Sequence, residues 1–164
     1  MRKQLLPFVA LGAVVAGLLV AFTLFLQRGA HLALEGAIQK VRLLSVEEAS
    51  SIAVLDFRLV NGSDYPFLVR EVAVSMEDAQ GKMVEGAVIS EVDAQRIFHY
   101  YPVLGQKYNP TLVARTRIAP RQSLDRMIAA RFEVPEKQLQ GRRRLKIRVE
   151  EVDGVVSEIV EGER

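Results

Sequence analysis

The spacing of apolar positions changes character once along this chain, near residue 27. Residues 5–26 carry no charged side chain, and only Pro7, Gly12, Gly17 and Thr23 interrupt the apolar run. At about 1.5 Å per residue such a run makes a helix of roughly 33 Å, enough to cross a hydrocarbon core of about 30 Å. A cleavable leader has a shorter apolar stretch and a small-x-small cleavage site. Here the run is followed by Gln27-Arg28-Gly29-Ala30-His31, so the pattern predicts a retained signal-anchor.

Arg2 and Lys3 precede the run and Arg28 alone follows it closely. The positive-inside bias then places residues 1–4 in the cytosol, residues 5–26 across the membrane as a single transmembrane helix, and the C-terminal domain on the extracytoplasmic side. Residues 27–31 form a short linker, which fully extended reaches roughly 16 Å. The remaining domain, 32–164, is expected to sit beside lipid.

Beyond the linker the period is mostly two, the signature of strands. Residues 32–46 read as one long or two short strands, interrupted at Glu35-Gly36. In 52–60, Ala53, Leu55, Phe57 and Leu59 alternate with Asp56 and Arg58, the pattern of a half-buried strand. Asn61-Gly62-Ser63-Asp64 followed by Pro66 is a turn, and 67–76 alternates again. A turn containing Gly81 leads to a shorter strand over 83–89.

Ser90 with Asp93 has the spacing of a helix N-cap, which predicts one short helix over 91–101 ahead of Pro102. Further strands are expected over 112–118, 127–134 and 145–152. Asp153-Gly154 between apolar alternations is a hairpin signal. Seven to nine short strands with turns about every ten residues predict an all-β domain, a β-sandwich of the immunoglobulin or fibronectin kind.

The stretch Leu55-Asp56-Phe57-Arg58-Leu59-Val60-Asn61, followed by Tyr65-Pro66-Phe67-Leu68-Val69-Arg70-Glu71-Val72-Ala73-Val74, resembles the core of the late-embryogenesis-abundant type 2 group, the water-stress and hypersensitive-response (WHy) domain. Gly62-Ser63 stands where that group has Pro-Asn. The resemblance implies a seven-stranded sandwich behind one membrane helix and a stress-protective role on membranes or client proteins, without catalysis.

Charge sharpens the picture. Apart from Arg2 and Lys3 the chain is balanced, with 20 basic and 20 acidic residues, which argues against a nucleic-acid partner. Within 107–148, however, 12 basic residues face only Asp125, Glu133 and Glu136. If Arg115, Arg117, Arg131, Arg144, Lys146 and Arg148 all point outward they form one cationic face, suited to anionic headgroups or an acidic protein. The alternative is a solvated surface whose charges pair across strands.

The second candidate is aromatic. Phe98, His99, Tyr100, Tyr101 and Tyr108 fall within eleven residues. They serve either as a recognition platform or as a plug in which Phe98 and Tyr101 close the open end of the sandwich. No catalytic, cofactor or metal signature is present: two histidines, zero cysteines, no phosphate-binding glycine loop and no nucleophile motif. The sequence therefore predicts no cofactor, no small-molecule substrate and a non-enzymatic binding or scaffolding module. A hydrolase built on an unrecognised carboxylate pair is the remaining class. Asn61-Gly62-Ser63 also fits a glycosylation acceptor, although turn chemistry explains it without a glycan.

Overall fold

The computed structural model describes residues 16–18 and 33–162. The chain divides into two units, Met1–His31 and Leu32–Arg164. The expected cytosolic N-terminus, anchor and linker lie outside the described residues, apart from 16–18, which are helical. Among the described residues no helix is long and apolar enough to cross a membrane.

The second unit is a β-sandwich. Its elements in chain order are β1 (Glu35–Glu47), β2 (Ser50–Val60), β3 (Phe67–Glu77), β4 (Met83–Val88), α1 (Glu91–Tyr100), β5 (Arg117–Ile118), β6 (Ser123–Phe132), α2 (Glu136–Gln140), β7 (Arg144–Glu151) and β8 (Val156–Val160). The first sheet runs β1-β2-β6-β4 and the second β4-β3-β7-β8, all antiparallel, with β5 paired to the start of β3. Between them lies one core, built from Leu55, Phe57, Leu59, Ile128 and Phe132 on one side and Val74, Met76, Leu145, Ile147 and Val149 on the other.

Strand β4 belongs to both sheets. Its first half pairs with β3 (Glu77↔Met83 to Val74↔Gly86) and its end with β6 (Ala87↔Arg131, Val88↔Ala130). A strand that changes sheets makes a corner of the sandwich. Gly86 marks this corner: a Cβ there would stand 2.7 Å from Cζ of Phe132, so the backbone passes directly over that ring. At the opposite corner no ladder joins β1 to β8, but the Leu34 N–H donates to Ser157 Oγ at 2.8 Å.

Residues 61–66 carry the chain from one sheet to the other, so β2 and β3 are not hairpin partners. Asn61 organises this crossing from a buried position. Its Nδ2 donates to the carbonyls of Tyr65 (2.8 Å), Ala119 (3.1 Å) and Ile118 (3.3 Å), and its Oδ1 accepts from the Ser63 N–H and hydroxyl. A side chain so fully bonded inside the fold is no glycan acceptor in the native state.

Three expectations are corrected. Strand β2 is not half-buried: Asp56 is as enclosed as its apolar neighbours, because α1 and the chain after it cover the outer face of the first sheet. The expected strand over 112–118 shrinks to Arg117–Ile118, since a β-turn, closed by the Thr116 N–H on the Val113 carbonyl at 3.2 Å, precedes it. Alongside α1 there is also a second, five-residue helix, α2, which begins after Pro135 and buries Leu139 in the core.

Candidate functional site

The two sequence candidates meet different fates. The cationic residues do not share a face. Arg131 lies on β6 of the first sheet, whereas Arg144, Lys146 and Arg148 alternate with the buried Leu145 and Ile147 on β7 of the second, so the core separates them. Each of the three on β7 has an acidic partner: Arg144 with Glu77 at 2.6 Å, Lys146 with Glu158 at 2.8 Å, and Arg148 with Glu150 at 3.1 Å. The Arg144 guanidinium holds the Glu77 carboxyl below its ordinary range. Arg131 bonds Ser50 Oγ at 2.7 Å and reaches Glu47 at 3.6 Å. Arg115 and Arg117 stand apart on the loop that contains β5.

The aromatic residues are brought together, but not as an end plug. Helix α1 is set by Ser90, whose hydroxyl accepts the Asp93 N–H at 3.2 Å, and by Glu91 and Asp93 in its first turn, where carboxylates favour the helix dipole. Its Ala94, Ile97 and Phe98 pack on the outer face of the first sheet against Leu44, Ile52, Val54, Met127 and Ala129. A 3-10 turn, Pro102–Leu104, adds the buried Leu104 to this second cluster. Phe98 thus sits outside the sandwich core.

Residues 101–111 have little regular structure, yet they are tied down at several points. Arg42, projecting from β1, donates from Nη1 to the carbonyls of Leu104 and Gln106, both at 2.8 Å, and from Nη2 to Asp56 at 2.6 Å. Its guanidinium lies 4.9 Å from the Phe98 ring centre and 5.9 Å from that of Tyr108, within the range of a cation–π attraction. Asn109 donates to the other Asp56 oxygen at 3.0 Å.

Glu91 supplies the next tie. Lys107 bonds it at 2.7 Å and the Thr111 backbone N–H at 3.1 Å, and these donors, Lys107 foremost, pull its carboxyl down to about 2. The sequence signal for this network is faint: Asp56 has the position of an ordinary outward charge on an alternating strand, and nothing in residues 32–46 sets Arg42 apart.

This anchored segment presents its aromatics to solvent. Tyr100 is 73 % exposed, Val103 80 % and Tyr108 65 %, with Tyr101 partly open beside them. His99 is exposed and meets the Tyr100 ring edge-on at 5.5 Å, and Lys40 lies 5.6 Å over Tyr108. Among the described residues no group of three or more histidines and carboxylates gathers in metal-binding geometry. What the arrangement offers is contact area: large amphipathic rings on a support tied down by hydrogen bonds suit a partner surface.

No family model matches this chain, and no curated protein sequence matches it. Two solved structures are similar to it in outline. One is an uncharacterized β-sandwich protein from Clostridium difficile 630, at 10% identity and a TM-score of 0.39, covering 78% of this chain and 85% of that one. The other is the archaellum periplasmic stator protein FlaG from Sulfolobus acidocaldarius, at 10% identity and a TM-score of 0.34, covering 78% of this chain and 99% of that one.

Proposed function

We propose that this chain is a single-pass membrane protein whose extracytoplasmic, immunoglobulin-like β-sandwich binds or scaffolds a protein partner without catalysis, through the aromatic surface of α1 and residues 101–111. The observation that carries this reading is the contrast within one segment. Tyr100, Val103 and Tyr108 are open to solvent, while the backbone of 104–111 is tied by Arg42 and Glu91 and the Asn109 side chain by Asp56. Ordinary loops are held less tightly. Exposed tyrosines on a pre-organised support have the make-up of an interaction hot spot. The carboxylates near them are already engaged in structural bonds.

The membrane part of the proposal rests on the apolar run 5–26. Crosslinking of the full chain in its native membrane, followed by mass spectrometry, tests the binding part. One dominant protein crosslinked to the wild type, and lost from the Tyr100→Ala/Tyr108→Ala variant, is the expected result. Crosslinks to lipid alone, or to many clients equally and regardless of the variant, would overturn it and favour the stress-protective role that the WHy resemblance implies.

A further inference from the structure

The register of the strands sorts the loops between two ends of the sandwich. Glu35 pairs with Val60, Val60 with Ser123, Phe67 with Ile118, and Glu150 with Val156. The point where the chain enters β1 therefore shares one end with the 61–66 crossing, with β5 and its flanking turns, and with the β7–β8 hairpin. Turn 78–82 and helix α2 lie at the other end.

The end at which β1 begins carries an unusual arginine arrangement. Two β-turns flank β5: Val113 to Thr116, and Ala119 to Gln122, closed by the Gln122 N–H on the Ala119 carbonyl at 3.2 Å. The third position of each turn has a positive φ, 65° and 58°, where glycine is the ordinary occupant. Here both are arginines, Arg115 and Arg121, and Arg117 lies between them on β5. Arg115 also donates its backbone N–H to the Val69 carbonyl at 2.7 Å, which sets it beside Arg70.

Pairing leaves much of this charge free. Arg121 meets Asp64, Arg70 shares Glu150 with Arg148, and Glu151 is turned onto the Asp153 N–H. The exposed Glu35, Glu71 and Asp153 also lie toward this end, Glu71 as the register partner of Glu150, and Asp125 meets Arg58. Among the described residues no carboxylate lies within 4 Å of Arg115 or Arg117. Tyr65, Val113 and Val152 are exposed on the same rim. Arginine with tyrosine and aliphatic side chains is the composition that settles at a membrane interface.

We propose that this end of the sandwich rests on anionic lipid headgroups, with Arg115 and Arg117 making the principal contacts and Arg70 and Arg121 flanking them. The inference rests on the anchored reading above, because only an anchor preceding β1 turns this end toward a bilayer. It fixes which end faces lipid, and leaves the aromatic surface of α1 free for a protein.

The chain has no cysteine, so Val113→Cys and, at the far end, Gln80→Cys each accept a single fluorophore. The labelled full chain is mixed with vesicles of phosphatidylcholine, with and without phosphatidylglycerol, that carry a headgroup nitroxide quencher. Flotation with neutral vesicles reports the anchor, and quenching reports the docked end. The expected result is flotation with both kinds of vesicle, and quenching at 113 but not at 80 in anionic vesicles. That quenching should be lost at high salt and in Arg115→Gln/Arg117→Gln, whose urea midpoint stays that of the parent.

Flotation with neutral vesicles but equal quenching at both sites, or quenching at 113 indifferent to the double variant, overturns the docking and spares the anchor. Flotation with anionic vesicles alone, abolished by the double variant, overturns the anchor and supports the docking. Flotation with neither kind, or with anionic vesicles alone but undiminished in the double variant, overturns both.

Discussion

Arg42 and Asp56 meet at 2.6 Å on the outer face of the first sheet, their side chains only 9 % and 6 % exposed. Neighbouring strands place them diagonally: Lys40 is the register partner of Asp56, and Arg42 that of Val54. An exposed pair so placed would contribute little. Burial by α1 and the 3-10 turn makes it matter, because each charge has left water and depends on the other.

Breaking this pair should be costly. Removing one partner of a buried ion pair typically costs about 3–5 kcal/mol, since the other is stranded. Asp56→Ala also strips Asn109 of its acceptor. We expect Asp56→Ala and Arg42→Ala each to lower unfolding free energy by about 3 kcal/mol in urea denaturation, and the double variant to cost clearly less than their sum. Additive losses would show that the two charges act independently.

Glu91 gives the domain a specific acid sensitivity. Its carboxyl moves from an ordinary 4.5 to about 2 in the fold, chiefly through Lys107. A depressed native pKa contributes stability that is complete above the unfolded value and fades as pH falls toward the native one. The window is therefore about pH 4.5 down to 2. A third of the side chain is open to solvent, so screening holds the effect to about 1 kcal/mol. Urea midpoints across this range should fall more steeply for wild type than for Glu91→Gln. Parallel curves would remove Glu91 from the acid response.

How far the sequence reveals this molecule depends on what each residue's neighbours are. Strand alternation is local, so β2, β3, β6 and β7 were readable, as were the Ser90 cap of α1 and the Asp153-Gly154 turn, where Gly154 has φ 90°. The burial of Asp56 is not local. It depends on a helix 35 positions later folding back over the sheet, and alternation alone makes such an aspartate look solvated. The split of the basic residues between two sheets depends on strand order, which no single segment encodes. Helix α2 is five residues long, too short for a 3.6-residue period to show. The aromatic cluster was visible as composition, but its placement outside the core was not.

The corner at Gly86 offers a packing test. A methyl group added at this residue would stand 2.8 and 2.7 Å from Cε1 and Cζ of Phe132 and 3.1 Å from Cβ of Ala130, so Gly86→Ala forces a fully buried ring to move. Overpacking of this kind costs roughly 1–3 kcal/mol. Thermal melts should show that loss, and Phe132→Leu introduced with it should recover part, because the shorter side chain vacates the ring position. No recovery would place the strain in the β4 backbone and not at the ring.

The aromatic surface separates structural from recognition roles ring by ring. Phe98 is partly buried against the second cluster and lies under the Arg42 guanidinium, so Phe98→Ala loses both packing and the cation–π contact and should cost about 2 kcal/mol or more. Tyr100 is largely exposed and meets the exposed His99 edge-on, and substitutions at such surface sites usually stay within about 0.5 kcal/mol. Tyr100→Ala should therefore melt like wild type, yet lose the crosslinked partner. A clear fall in its melting temperature would mean that this ring supports the fold, and would return the cluster to the structural role the sequence left open.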